Sequence, residues 1–201
     1  LCDSLCAVNP DVVFVASALN DHLRAEQNWY ASSDLSFVEY GALQLLDERF
    51  GGCRELSGFN VALFRALGIP CGIDRVVQNP HRIGSHMWTF MVDTDGRKLP
   101  YLWNYYNIDR EERMEEKYGK VYRDYFSVQT TNWAVSYPDE DIPGILKNPF
   151  LRDVSDEYFG RNVAVVPLYD SAGDGRLCYL AVFNNAGWSP VAVGTAAGFQ
   201  G

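Results

Sequence analysis

The sequence predicts an α+β fold in which helices come first and antiparallel strands follow, and two observations carry that prediction. Up to Pro70, three stretches have apolar side chains that recur with the 3.6-residue period of a helix. After Pro70 the period becomes that of strands, and two strand-like runs flank the tight turn DTDG at residues 93–96. A chain of 201 residues with 47% hydrophobic and 21% charged residues is large enough to bury a core of this kind.

The three helices are predicted at residues 11–28, at residues 34–50 and from Cys53 onward. The third has the clearest pattern, with an apolar stripe made of Leu56, Phe59, Val61, Leu63, Phe64 and Leu67. Gly68 is expected to end this helix, and Pro70 prevents its resumption.

The strands of the first half are predicted at residues 72–78 and in a hairpin formed by residues 86–92 and 97–103. The run REERMEEKYGK at residues 110–120 carries many charges, so we expect a solvated helical patch there. The core is therefore expected to draw its strands from the region between Pro70 and this patch.

A change of composition divides the chain. Residues 136–149 contain three prolines and a run of acids, which is typical of a linker. We therefore predict a core at residues 1–135, a linker at 136–149 and a β-rich module at 150–201. The module has predicted strands at residues 162–169, 177–183 and 188–194. About four strands are few for a closed sandwich, so the module is expected to be a partial, truncated one.

Charge and cysteine content exclude several classes of function. A net charge of −9 and a pI near 4.7, with no basic run, argue against a nucleic-acid partner. No stretch approaches the roughly 18 to 20 apolar residues of a membrane span. The five cysteines are too few for a disulfide scaffold, and the histidines do not complete a zinc site, so we expect neither a metal nor a cofactor. The protein is expected to be a monomer, with Cys2, Cys6, Cys71 and Cys178 as packing residues.

Cys53 differs from the other cysteines because it stands directly behind Gly51 and Gly52 in the first turn of a predicted helix. Unpaired N–H groups and the positive end of the helix dipole favour a thiolate there. The glycines leave room for another molecule's backbone, so Gly52 is a candidate substrate-binding residue. His86 is the best candidate for a partner that holds the proton. Trp88 shares its strand face and would shelter the pair while contacting substrate.

These motifs carry a family resemblance. The segments GGCRELSGFNVALFRALGIP (residues 51–70), SHMW (85–88) and DGRKLPY (95–101) resemble the transglutaminase-like domain of the papain-related cysteine enzymes. The resemblance covers about residues 30–126 and implies a papain/transglutaminase-like core with helices packed on an antiparallel sheet. It also implies that Cys53 is the nucleophile and His86 its partner.

The later segments LRDVSDEY and YLAVFNNAGW look like multidomain proteins of gut-type Bacteroidetes, in which a β-sandwich follows such a core. This looser resemblance implies a secreted, periplasmic or cell-surface location, although the chain shows no signal peptide.

One position departs from the family pattern. The family places an acid about 16 residues after the histidine, to orient its ring, and Leu102 stands there in this chain. Asn104 lies two residues further along, hence on the same strand face, and its amide oxygen could accept the imidazole N–H. The predicted catalytic residues are therefore Cys53, His86 and Asn104, with Asn104 also open to interpretation as an ordinary strand-end residue.

The resemblance implies cleavage or transfer of peptide or glycopeptide amides through a thioester on Cys53. Water would give hydrolysis and an amine would give crosslinking, and the sequence does not decide between them. The backbone N–H of Cys53 is one expected oxyanion donor, and Gln27, Trp29 and Gln44 are unranked candidates for the second. The alternative is a catalytically inactive domain of the same fold that binds a glycan or a protein.

Overall fold

The computed structural model describes residues 1–26, 30–31, 40–79, 84–101, 108–110, 118–161, 165–168 and 175–196. The helices are α1 (Cys2–Val8), α2 (Val12–Glu26), α3 (Ala42–Glu48), α4 (Cys53–Ala66), α5 (Trp133–Ser136) and α6 (Ser155–Phe159), with a 3₁₀ turn at Gly144–Lys147. The strands are β1 (Tyr30–Ala31), β2 (Phe50–Gly51), β3 (Cys71–Val76), β4 (His86–Val92), β5 (Lys98–Tyr101), β6 (Tyr122–Asp124), β7 (Leu151–Asp153), β8 (Leu177–Asn184) and β9 (Gly187–Thr195). Helices combine with antiparallel strands, which confirms the predicted α+β class.

The chain forms two compact units. Unit 1 comprises Leu1–Asp74 and His86–Glu115, and unit 2 comprises Arg75–Ser85 and Glu116–Gly201. The predicted candidate site lies in unit 1. The division into a core, a linker and a β-rich module stays a prediction.

Unit 1 is built around three strands in the order β5-β4-β3. β4 and β5 form the predicted antiparallel hairpin, with Thr89 opposite Tyr101 and Val92 opposite Lys98. Helix α4 packs against β4. The buried core between the helices and the sheet consists of Val13, Ala16, Leu45, Leu56, Phe59, Phe64, Ile69, Met91, Leu99, Tyr101 and Ile108.

Helix α4 has the bounds that the sequence predicts. Gly52 is its N-cap residue, and the helix starts at Cys53. Gly68 has a φ of +74°, a left-handed conformation that glycine adopts without strain, and this conformation turns the chain out of the helix. Burial of the stripe that includes Leu56, Phe59 and Phe64 shows that the 3.6-residue period does mark the core face.

The second predicted helix, at residues 34–50, is confirmed at Ala42–Glu48 and is wrong at residues 40–41 and 49–50. Helix α3 starts only at Ala42, because Gly41 is the N-cap residue and has extended backbone. Arg49 ends the helix with a left-handed φ of 57°, and Phe50 belongs to β2. Apolar residues continue past Arg49 to Phe50, but the left-handed backbone of Arg49 turns the chain out of the helix.

The predicted solvated patch at residues 110–120 is also wrong at both of its described ends. Arg110 bonds Asp93 and Asp11, and Tyr118 is only 4% exposed. Residues 111–117 lie outside the described residues. Arg110 therefore forms ion pairs with two aspartates, and Tyr118 packs in the protein interior.

Unit 2 contains two sets of paired strands. In the first set, the end of β3 lies next to β6, and β6 lies next to β7. In the second set, β8 pairs with β9 in an antiparallel hairpin. Its core is formed by Tyr122, Ile142, Leu146 and Leu151, with Val77, Trp133, Ala134, Ile145, Leu177 and Val193 packed around it. Ile142 and Leu146 fall within the predicted linker, and both are buried.

The predicted strand at residues 162–169 is not a strand where it is described. Residues 165–168 have no regular secondary structure, and Val165 is 90% exposed. Apolar and β-branched residues favour a strand, but a strand forms only where another strand pairs with it. The other two predicted strands of this region correspond to β8 and β9.

Candidate active site

The first turn of α4 holds Cys53 in a tightly packed setting. A Cβ atom at Gly51 would lie 2.8 Å from Glu55 Cβ and 2.9 Å from Leu45 Cδ1, so only glycine fits at this position. Gly52 follows in extended conformation, and Cys53 is partly buried. The two glycines therefore bring the chain closely past α3 and onto the start of α4.

Glu55 is a residue of this site that the sequence reasoning missed. Its carboxylate accepts a hydrogen bond from the Gly52 N–H at 2.9 Å, and the residue is 9% exposed. The spacing of a cap residue and a glutamate three positions later is a capping-box signal and could have revealed it. A negative charge at the helix N-terminus offsets part of the helix dipole, so a thiolate at Cys53 would need a nearby cation.

Helix α4 and strand β4 run in the same direction and are joined by buried hydrogen bonds. Ser57 Oγ donates to the Met87 carbonyl oxygen at 3.4 Å, and Thr89 Oγ1 donates to the Ser57 carbonyl oxygen at 3.3 Å. At the other end, the Val92 N–H donates to the Pro70 carbonyl oxygen at 2.8 Å. The start of α4 therefore lies at the start of β4.

This arrangement brings Cys53 and His86 to the same end of the helix–strand pair. Cys53 stands one helical turn before Ser57, and His86 directly precedes Met87. His86 is partly buried and is the first residue of β4, as the sequence predicts. An imidazole at a strand end can reach past the end of the sheet toward a neighbouring helix.

The predicted neighbour Trp88 is fully buried, with 0% of its surface exposed. Its ring centroid lies 6.0 Å from that of His86. Because side chains alternate along a strand, His86 and Trp88 share one face of β4, whereas Thr89 faces α4. Trp88 can therefore support the imidazole from within the protein interior, and its substrate-binding role stays a prediction.

The remaining predicted site residues are described only in part. Leu102 and Asn104 lie outside the described residues, as do the proposed oxyanion donors Gln27 and Trp29. Gln44 is exposed on α3. Among the described residues, the starts of α4 and β4 supply polar groups that include Cys53, Arg54, Glu55 and His86.

All five cysteines are free thiols, as expected for a chain without a disulfide scaffold. Cys71 packs against the core of unit 1, and burial raises the pKa of its thiol. Cys6 is exposed, so the expectation that it is a packing residue is wrong. Within the described residues, no cluster of three or more His, Cys, Asp or Glu side chains is arranged to hold a metal ion. None of the described helices has the length and hydrophobicity needed to span a membrane.

Comparison with known proteins supports the resemblance. Residues 5–103 match the family model of the transglutaminase-like superfamily. A solved structure named "Putative Cysteine Protease from Cytophaga hutchinsonii" matches with 21% identity and a TM-score of 0.35, over 45% of this chain and 31% of that one. The chain thus spans about a third of that protein, and no curated protein matches it. The match over residues 5–103 contains Cys53 and His86, so both residues lie in the stretch that is similar to the transglutaminase-like superfamily.

Proposed function

We propose that the chain is a cysteine-dependent amide hydrolase or acyltransferase, with Cys53 as nucleophile and His86 as its proton-transfer partner. The observation that supports it best is the placement of both residues at the aligned starts of α4 and β4, which Ser57 ties together. A nucleophile needs a base within hydrogen-bond reach, and apo geometry is often looser than that of the working complex. The proposed substrate is a peptide or glycopeptide. The protein is proposed to act as a monomer outside the cytoplasm.

The chemistry follows from the groups. The Cys53 thiolate attacks the amide carbonyl carbon, a C–S bond forms, and the carbonyl electrons move to the oxygen. The Cys53 backbone N–H, which belongs to the first turn of α4 and has no partner within the helix, is the proposed donor to that oxygen. As the C–N bond breaks, imidazolium His86 gives its proton to the departing amine, and a thioester remains on Cys53.

The second half of the reaction restores the enzyme. Neutral His86 takes a proton from water or from an acceptor amine, which attacks the thioester carbon. The C–S bond breaks, the thiolate of Cys53 is released, and the product is a carboxylic acid or a new amide. Asn104 remains the proposed orienting residue on the basis of the sequence.

Thiol reactivity tests this proposal without knowledge of the substrate. Because Glu55 offsets the helix dipole, His86 has to supply most of the charge that stabilises a thiolate. We expect iodoacetamide at pH 6 to label Cys53 before Cys2, Cys6, Cys71 and Cys178, measured by peptide mass spectrometry. His86→Ala should slow labelling of Cys53 by about tenfold or more, since a neighbouring opposite charge shifts such equilibria by about 1 to 3 pH units.

The matched control is His22→Ala, which removes an imidazole carried by α2. It should leave the labelling rate of Cys53 unchanged. If Cys53 reacts no faster than the exposed Cys6, no thiolate is formed and the enzyme proposal fails. A reactive Cys53 would then be assayed with a glutamine-containing peptide and a primary amine, where ammonia release with or without amine incorporation distinguishes transfer from hydrolysis.

A catalytically inactive binding domain is the second candidate, and one feature of unit 2 favours it. Phe183 and Trp188 are each 71% exposed and form an edge-to-face pair with ring centroids 5.4 Å apart on the β8–β9 hairpin. Exposed aromatic rings can stack on sugars or on apolar protein surface. Under this candidate, replacing both rings by alanine abolishes binding of a glycan or protein ligand, whereas Cys53→Ala leaves the binding unchanged.

A further inference from the structure

Asp74 is a carboxylate that the proposed mechanism does not use. It lies on β3 and is 0% exposed. A carboxylate that has been removed completely from water has to be stabilised by hydrogen bonds or by positive charge within the protein. Which groups surround Asp74 therefore determines what it does.

The register of β3 on β4 follows from two contacts. The Val92 N–H donates to the Pro70 carbonyl oxygen at 2.8 Å. Two residues further along the chain, a Cβ atom at Gly72 would lie 2.7 Å from Cζ of Phe90. From the first contact to the second, the residue number rises from 70 to 72 toward β3 and falls from 92 to 90 along β4. This is the pattern of an antiparallel pair.

Continuing this register by two residues places Asp74 opposite Trp88. Residues directly opposite each other in an antiparallel pair have their side chains on the same face. His86 also occupies that face, since its ring lies 6.0 Å from that of Trp88. Asp74 and His86 are therefore diagonal neighbours, a relation in which side chains of this length can come within reach of each other.

We propose that Asp74 is a positioning residue for His86 and takes the role of the acid that Leu102 does not provide. This inference rests on the proposed function. The Asp74 carboxylate accepts one imidazole N–H, fixes the tautomer and turns the other ring nitrogen toward Cys53. It also stabilises the imidazolium form. Cys53 lies on the α4 side of β4, and Asp74 lies on the opposite face.

The titration of His86 tests this placement directly. The ionisable groups that α4 and β3 bring to this end of β4 are Cys53, Arg54 and Glu55 on α4, and Asp74 and Arg75 on β3. The chain has only three histidines, so the ring signals can be followed by NMR and assigned with His86→Ala. Asp74→Asn keeps the shape of the side chain and removes its charge, and the midpoint of the His86 titration should fall by about one pH unit.

The control is Asp93→Asn, which neutralises a second buried carboxylate of unit 1, at the far end of β4. It should leave the His86 midpoint unchanged. An unchanged midpoint in Asp74→Asn overturns the proposal, and so does an equal shift in both variants. If Asp74→Asn does not fold, ¹⁵N shifts of the wild-type ring decide: a single neutral tautomer of His86 supports the proposal and a mixture of tautomers overturns it.

The outcome is separable from that of the proposed function. Iodoacetamide labelling of Cys53 in the wild type reports on the nucleophile, whereas the His86 midpoint reports on Asp74 even if Cys53 is inert. Asn104→Ala distinguishes the two orienting residues. If Asp74 has this role, Asp74→Asn slows Cys53 labelling at least threefold more than Asn104→Ala does, and the reverse order overturns the assignment.

Discussion

The α4–β4 pair of unit 1 and the β8–β9 hairpin of unit 2 are both built from neighbouring elements, but they are held together differently. In α4–β4, side chains of Ser57 and Thr89 bond backbone groups across a buried interface. In the hairpin, backbone pairing runs along the strands from Leu177 opposite Thr195 to Asn184 opposite Gly187. Large apolar side chains of the hairpin are exposed, namely Tyr179, Leu180, Val182, Phe183 and Trp188.

The difference shows where side chains are required by the fold. In unit 1 they determine how helix and strand are aligned, so the position of Cys53 relative to His86 depends on packing. In the hairpin, Leu177 and Val193 pack against the core of unit 2, whereas Phe183 and Trp188 are exposed and remain available for another contact. Substitutions should therefore affect stability strongly in the first region and weakly in the second.

The largest expected effect comes from the two tryptophans. Trp88→Ala should lower the free energy of unfolding by about 3 to 5 kcal/mol, because it opens a cavity at a residue that is 0% exposed. Trp188→Ala removes a ring that is 71% exposed and should change it by less than about 0.5 kcal/mol. Urea unfolding measures both variants. Equal losses would show that the hairpin side chains stabilise the fold to the same extent as those of β4.

Two glycines near Cys53 should give smaller effects of opposite sign. Gly51→Ala should destabilise by about 1 to 3 kcal/mol, because its Cβ would meet Glu55 and Leu45 at under 3.0 Å. Gly58→Ala, on the exposed side of α4 with no atom within 4 Å of the added Cβ, should stabilise by about 0.5 to 1 kcal/mol. Thermal unfolding monitored by circular dichroism gives both signs. Stabilisation by Gly51→Ala would disprove the close packing that places Cys53.

A pH-dependent effect distinguishes buried from exposed ion pairs. Arg110 holds the pKa of Asp93 well below its usual range through bonds of 2.6 and 2.8 Å, and it also lowers the pKa of Asp11. Because the folded-state pKa lies below the unfolded one, this stability is fully present above about pH 5. It is lost progressively as the pH falls through about 4 and below.

Asp93→Asn should therefore destabilise the protein by about 2 kcal/mol at pH 7 and by much less near pH 2, measured as unfolding midpoints across that range. Asp141→Asn is the matched control, because the Asp141 side chain is fully exposed in a 3.7 Å pair with Lys147. It should have almost no effect at either pH. A loss from Asp93→Asn that does not depend on pH would contradict the role of charge.

The sequence predicted the parts of unit 1 that depend on local pattern. The α4 bounds follow from Gly52, Gly68 and Pro70, and the β4–β5 hairpin follows from alternation around the turn. Glu55 and Asp74 could have been recognised as well, the first from capping-box spacing and the second because alternation along β3 places an aspartate on a buried face.

The parts that failed depend on contacts distant in sequence. Residues 165–168 have strand-like composition, but nothing local reveals whether a partner strand is present. Arg110 looked like one more charge in a solvated run, since its partners Asp93 and Asp11 are 17 and 99 positions away. The ring contact of His86 with Trp88 was predictable from the strand period, whereas the alignment of Cys53 with His86 required the packing of α4 on β4.

The Arg110–Asp11 ion pair also determines how unit 1 would carry a mechanical load. The two residues are 99 positions apart in the chain, yet Arg110 Nη2 and Asp11 Oδ2 are separated by 2.6 Å. Because the ion pair joins these two points directly, tension applied at them would act first across the ion pair. Arg110 thus connects the two ends of the segment from residue 11 to residue 110, which contains Cys53 and His86.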